Sequence, residues 1–346
     1  MTPKERFQAA LNLEKPDRIP LLYQHLGGGA WVLESCGKTL EEGFKDPKVF
    51  AKIATTAQKL YGFDNVMAGW GDLLVEAQAH GKRWTFVSKD QYPRASSYIS
   101  LTPKNIDAIQ PVDPIHDRYW SVQLKAAGIL QMKIGKDVEV VGCINSPFII
   151  ASETIGFDKL MISLLKNPAL IHKLLARITE SAKIYADRVA NDCQLDSIFI
   201  ADGTAGGDQI SLDLCSRFDL NYLKELIDHC HLKCLKTIVQ NGSSAPYIDA
   251  QVALKPDAIH FNNRVVDLEK AFGMFRGKLC VVSGVDHMEL LLRGTPGDVE
   301  KETKRAIDLF GRGPGLVLSG GSEIPFNAPI ENIKRLKQAA ERYGRY

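Results

Sequence analysis

The sequence is short of the features that would direct a chain to a membrane, a nucleic acid or a disulfide scaffold. Its 43 basic residues are nearly balanced by 41 acidic ones, so no net field exists to draw it onto a polyanion. No apolar run is long enough to cross a bilayer, and the opening Met1–Arg6 lacks the apolar heart of a signal peptide. The expected setting is cytoplasmic, with neither nucleic acid nor membrane as a partner. Seven cysteines, an odd number scattered without a C-x-x-C pair, exclude a disulfide framework and read as core thiols. Gly27-Gly28-Gly29 does not have the G-x-G-x-x-G spacing of a dinucleotide fold, and there is no P-loop. What remains is a globular chain of 346 residues, 45% hydrophobic and 24% charged, that meets small molecules or other proteins.

Short apolar runs punctuated by turn residues recur along it, as expected of strands buried on both faces. They fall at 18–25, 64–70, 138–144, 197–202, 235–240, 257–262, 279–284 and 315–319. Between them lie helical patterns with clear starts. Thr2-Pro3 with Glu5 forms a capping box, Asn167-Pro168 opens a long amphipathic stretch to about Asn191, and Thr295-Pro296 opens another that Gly311 stops. Eight strands alternating with helices predict a single α/β domain over 1–346, a (β/α)8 TIM barrel with an N-terminal helical extension. Residues 82–115, rich in Ser, Pro and Tyr, are the least regular part and predict an excursion over a site.

In such a barrel the C-terminal strand ends carry the chemistry. The run Ser197–Asp202 ends in an ionisable residue followed by a glycine-rich loop and Ser211, a helix cap. The same pattern brings His25, Asp72, Asn145, Asp202, Gln240, Asn241, His260, Asn262, Asp286, His287, Ser322 and Glu323 toward one mouth. Glu76 reads as a solvated helix residue, Asp286 also as a cap for a helix near Met288, and Trp70 and Phe148 as core or as walls for an aromatic substrate. Cys230, Cys234, His229 and His231 cluster on a helix and turn before the fifth strand, away from the mouth.

Thr2–Arg6 with Asp17–Pro20, the segment Leu73–Ala77, Ser146-Pro147-Phe148, Ala201–Ser211 and Ile324–Asn332 together resemble the uroporphyrinogen decarboxylase superfamily over nearly the whole chain. Within it they are most similar to the corrinoid-linked methyltransferases. The resemblance implies the (β/α)8 barrel and a catalytic role for Asp72, which matches the decarboxylases' essential aspartate. Departures limit the rest. The basic segment that binds porphyrin carboxylates in decarboxylases is replaced by Tyr23–Gly28, their active-site tyrosine by Glu153 and their late histidine by Ser322. The zinc ligands of the thiol-methylating branch fall on Val239, Asn241 and Ser322, so that zinc site is expected to be absent and no metal is assigned.

The implied function is substrate-side methyl transfer, from a small donor, with an aromatic methyl ether as the best guess, to the cob(I)alamin of a partner corrinoid protein. Asp72, Glu153, His260 and Glu323 are the candidates to activate the leaving group. His25, Trp70, Asn145, Phe148, Asp202, Gln240, Asn241, Asn262, Asp286 and Ser322 are the candidate pocket. A lyase or decarboxylase acting on another substrate, a methylcobamide-to-acceptor methyltransferase and a non-catalytic corrinoid-handling protein stay open, as does a homodimer.

Overall fold

Proline sets where many of the helices begin. Pro3, Pro47, Pro103, Pro147, Pro168 and Pro296 each stand in a first helical turn, where the missing N–H costs no intrahelical bond and φ is already helical. Thr2, Thr102, Ser146 and Thr295 cap four of these helices by accepting a main-chain N–H one turn on. The capping box at Thr2 and Glu5 forms as the sequence predicts. The long amphipathic stretch is the helix Pro168–Asn191.

The computed structural model describes all residues except 26–28, 70–74, 204–208, 243–246 and 265. Among these, seven strands make one parallel sheet: β1 (Asn65–Ala68), β4 (Glu139–Asn145), β5 (Ser197–Asp202), β6 (Lys236–Asn241), β7 (Ala258–Phe261), β8 (Cys280–Gly284) and β9 (Leu316–Ser319), in that order. Each lies within a predicted strand or overruns it by one residue. β2 (Arg83–Thr85) and β3 (Arg94–Ser97) form a separate antiparallel hairpin.

The predicted strand at 18–25 is a correction. Only isolated bridges form there, Leu21 beside Leu318 and Arg18 beside Arg345. Pro20 has no N–H to give, and Tyr23 bonds the side-chain amide of Asn65 in both directions, at 3.0 and 3.1 Å, in place of a main-chain ladder. The segment is nevertheless held at both edges of the sheet. Leu22 N donates to Leu318 O and Leu318 N to Pro20 O, both at 2.9 Å, while Asp64 N donates to Leu21 O at 3.1 Å. The two edge strands therefore meet one segment, and the sheet curls.

Strand alternation divides the core into two layers. Met67, Val141, Cys143, Phe199, Ile238, Ala258, Val282 and Val317 face inward with Leu22, and the helix Pro3–Leu11 adds Phe7, Ala10 and Leu11. Their neighbours Val66, Val140, Ile198, Val239, Ile259, Val281 and Leu318 pack outward against helices. The N-terminal helix lies near the start of β4, where Lys4 N donates to Asp137 O. The opposite, C-terminal strand ends are left for chemistry.

Candidate functional site

On the inner face, alternation continues upward from the apolar layer to Asn145 beyond Cys143, Gln240 beyond Ile238, His260 beyond Ala258, and Ser319 beyond Val317. Gln24 and His25 come from the segment between β9 and β1. All six are buried.

Their hydrogen bonds form a connected set. Gln24 and Gln240 exchange amide bonds at 3.3 and 3.2 Å, and Gln24 Nε2 lies 2.8 Å from His25 Nε2. An amide nitrogen only donates, so His25 Nε2 accepts and its proton sits on Nδ1, which is 3.7 Å from Cys143 Sγ. His25 holds this position in the left-handed region, at φ 54°, a conformation that costs free energy for a residue with a Cβ. The ring of Phe199 stands edge-on to His25 and His260, with centroids 6.1 and 5.5 Å away.

His260 Nε2 lies 2.7 Å from Ser319 Oγ, which also accepts from Gly321 N at 3.0 Å. Among the described residues His260 Nδ1 has no partner. Burial holds both imidazoles neutral, at about 3 for each, with His25 and then His287 adding to the effect at His260. His287, half-buried, brings Nδ1 within 3.3 Å of Asn262 Nδ2.

Among the described residues two carboxyl groups, Glu76 and Glu323, reach the C-terminal part of this inner face. Glu76, at the start of the short helix Val75–Ala79, is 2% exposed. Its Oε1 accepts from the main-chain N and the side-chain Nδ2 of Asn145, at 3.3 and 3.0 Å. This corrects the solvated reading of Glu76. Burial raises its carboxyl to about 7, with its own backbone and Asn145 offsetting part of the rise. Glu323 accepts the hydroxyl proton of Tyr92 at 3.3 Å, so the loop of the irregular segment's hairpin reaches Glu323. The Cys143 thiol feels both acids: burial raises it first, then Glu76, then Glu323.

Several candidates lie elsewhere. Asp202 follows Ile198 and Ile200 on the helix-facing side of β5, where it accepts from Ser146 Oγ at 2.9 Å and Gln251 Nε2 at 2.6 Å. Asn241 donates to the same Gln251 at 2.6 Å. Asp219 completes this buried network, and burial raises both aspartates, which favours a shared proton. Glu153 pairs with Lys82, whose ammonium lies over Tyr98. Phe148 is fully buried in the sheet–helix core. Asp286 caps the helical turn His287–Leu292 through the N–H groups of Met288 and Glu289. Ser322 is half-buried in the turn after β9. Asp72 and Trp70 lie outside the described residues. The cluster before β6 is structural: His229 bonds Asp187 and His231 bonds Asp257, at 2.8 and 2.9 Å.

The zinc positions of the thiol-methylating branch do not fit the ion. Val239 has no donor atom and packs against helices, Asn241 is engaged by Gln251, and Ser322 offers only a hydroxyl. Among the described residues no three of His, Cys, Asp and Glu converge as a ligand set.

Residues 2–343 match the uroporphyrinogen decarboxylase (URO-D) family, and the chain belongs to that family. It is 26% identical over 343 residues to the methylcobamide:CoM methyltransferase MtbA of Methanosarcina mazei, covering 99% of this chain and 98% of the relative. It is 25% identical over 343 residues to MtaA, a methylcobamide:CoM methyltransferase of Methanosarcina barkeri, with the same coverage. Against the uroporphyrinogen decarboxylase of Anaeromyxobacter dehalogenans it is 22% identical over 365 residues, covering 98% of this chain and 99% of that one. The structure of a methyltransferase from Methanosarcina mazei superposes with a TM-score of 0.88 at 24% identity, covering 99% of each chain. That likeness fixes the fold. No helix among the described residues is long and apolar enough to cross a membrane.

Gln24, Glu76, Cys143 and Ser319 were not among the candidates drawn from the sequence. Cys143 and Ser319 share a signal in hindsight, since each lies two residues from an inward apolar residue on its strand. Glu76 lies in the Leu73–Ala77 segment that carries the family resemblance, but an acid in a first helical turn is ordinarily solvated, so its burial was not legible.

Proposed function

We propose that the protein is a corrinoid-dependent methyltransferase that moves a methyl group from a small donor, an aromatic methyl ether, to the reduced corrinoid of a partner protein. The single observation that carries this reading is an inner-face network that no cation joins among the described residues. Gln24, His25, Gln240 and His260 bond one another, Ser319 or Cys143, and no hydrogen bond or ion pair among the described residues joins a lysine or arginine side chain to any of them. A polycarboxylate such as a porphyrinogen needs cations there, and an uncharged arene with an ether oxygen does not. Two of the relatives are named as methylcobamide methyltransferases, which supports the corrinoid as co-substrate.

In this reading the chain is one domain, and 18–25 is the eighth stave of a (β/α)8 barrel, bonded on both sides as described. His25, Asn145, Gln240, His260, Asn262 and Glu323 line the pocket. Ser322 stands at its rim, and Asp72 keeps the catalytic role the family resemblance implies, outside the described residues. The methyl group has to meet a metal held in a large macrocycle, so the corrinoid protein covers the same mouth. The turn Ser319–Glu323 and the hairpin from 82 to 98 form its docking face, and the loop after His25, also expected there, lies outside the described residues. Gly321 is fixed there: its φ is 70°, and a Cβ would lie 2.7 Å from Asn262 Cα.

Anaerobic incubation with cob(I)alamin and, in turn, methoxyarenes, methylamines, methyl thioethers and methanol tests the reading by corrinoid absorbance. Demethylation of a methoxyarene is the expected result. Turnover without the corrinoid would move the protein to the lyase class, and no turnover with any donor would leave a non-catalytic role. The purified protein is also expected to contain well under one zinc per chain, and stoichiometric zinc by elemental analysis would overturn the metal-free assignment.

A further inference from the structure

We infer that Glu76 is the catalytic acid that protonates the leaving heteroatom as the methyl group departs. This rests on the methyl-transfer reading above and deepens it.

The two oxygens of Glu76 have unequal surroundings. Oε1 holds both donors that Asn145 can offer, the main-chain N–H of the last β4 residue and the side-chain amide. Oε2 is buried and, among the described residues, has no hydrogen-bond partner. Buried polar atoms are almost always paired. A bare carboxylate oxygen with no cation carries a large desolvation cost, whereas a protonated one presents a hydroxyl awaiting an acceptor. With Oε1 occupied by donors, the proton belongs on Oε2. An incoming substrate oxygen supplies the missing partner.

The charged and titratable surroundings leave that proton in place. Cys143 is a buried thiol held neutral, and Glu323, its other acidic neighbour, bonds Tyr92. His80 is engaged with the carbonyl of Glu76 at 2.7 Å and with Ser181 at 2.9 Å. On the neighbouring helix Pro147–Ile155, Glu153 is neutralised by Lys82. Among the described residues no cation bonds the Glu76 carboxyl, and burial brings it to about 7, near the value at which an acid is both protonated and willing to give up its proton. The described imidazoles of the inner face are worse suited. His25 and His260 are neutral, so neither brings an imidazolium.

The step balances. The bond between the methyl carbon and the heteroatom breaks with its electron pair going to the heteroatom, while the methyl carbon bonds to the reduced corrinoid. The Oε2 proton passes to the heteroatom, so the donor leaves as a free phenol and Glu76 as a carboxylate. A proton from solvent restores the acid between turnovers. No further oxidant or reductant is consumed in transfer.

Single-turnover demethylation with cob(I)alamin as acceptor separates a catalytic from a structural role by leaving group. Anisole leaves as a basic phenolate that needs the proton, and 4-nitroanisole leaves as a stabilised one that does not. Glu76→Gln is expected to slow anisole by ~10²-fold or more and 4-nitroanisole by less than about threefold. Equal losses, or none, would overturn the assignment while leaving methyl transfer intact. A wild-type protein silent with every donor would overturn the methyl-transfer reading and this inference together. Should Glu76→Gln not fold, the wild-type pH profile decides: the anisole rate falls above pH about 7 while the 4-nitroanisole rate stays flat, and a flat anisole profile counts against Glu76.

Discussion

Asp64→Ala is expected to destabilise the protein by about 3–5 kcal/mol, the range for breaking a buried ion pair. Asp64 is fully buried immediately before β1. Its Oδ1 accepts from Arg6 at 2.6 Å and from Arg18 at 3.0 Å, and its Oδ2 from Arg18 at 3.0 Å and the main-chain N of Leu21 at 2.8 Å. One carboxylate thus ties the N-terminal helix, the 18–23 segment and the first strand of the sheet. Its removal takes the shared carboxylate from two guanidinium groups whose side chains are only 9% and 12% exposed, leaving Arg18 with the carbonyl of Ile19. Arg6 retains a bidentate pair with Asp17, but that partner's side chain is 44% exposed, so solvent screening weakens what it recovers. The loss corresponds to roughly 4–7 °C in melting temperature for a chain of this length. A melting temperature within about 1 °C of wild type, in a thermal scan at pH 7, would show that the cluster does not hold the segment to the sheet.

That cluster also marks where the sequence stops being informative. The seven strands of the sheet are legible because each is a short apolar run closed by a polar or glycine residue, and the helix starts because proline and a hydroxyl cap stand together. The direction in which a strand-end residue points is not legible. Ile198, Phe199, Ile200 and Ala201 are all apolar, since a strand in this sheet is buried on both faces, so no alternation tells whether Asp202 or Ala201 faces inward. Asp202 faces the helices, and the loop that seemed to present it to substrate begins from a residue already bound to Ser146 and Gln251. The segment 18–25 fails for another reason: its edge bonds come partly from Asn65 and Asp64, more than forty residues away.

Glu76 and Glu139 illustrate the same limit from the side of charge. Composition places an acid at the start of a helix or strand without saying whether water reaches it. For Glu76 the answer is made by Asn145, sixty-nine positions on, and for Glu139 by Ser197, fifty-eight positions on. The inner face thus acquires a buried acid at each end of the sheet, only one of them near the candidate site.

Glu139→Gln is expected to stabilise the protein at alkaline pH and to leave it unchanged or slightly less stable in acid. Glu139 opens β4, 1% exposed, at the strand end beside the N-terminal helix, with Oε1 accepting from Ser197 Oγ and Oε2 lacking a partner among the described residues. Burial raises its carboxyl from the ordinary 4.5 to about 7, with Gln8 and Ser197 offsetting part of the rise. The fold therefore binds this proton more tightly than the unfolded chain does. Its contribution to stability is fully present below pH 4.5, declines as the pH rises, and is lost above about 7, where ionisation must take place in a dry site. The amide cannot ionise, so the variant avoids that loss. Full relief would be worth at most about 3 kcal/mol at pH 8, with about 1–3 kcal/mol expected once the amide's own unmet bonds are allowed for. Denaturant unfolding at pH 4 and pH 8 measures the difference. Equal shifts at the two pH values, or a loss at pH 8, would mean that Glu139 is ionised and compensated in the folded protein. Because Glu139 lies at the opposite end of the sheet from Glu76, methyl-transfer rates should be unaffected, which separates the structural acid from the catalytic one.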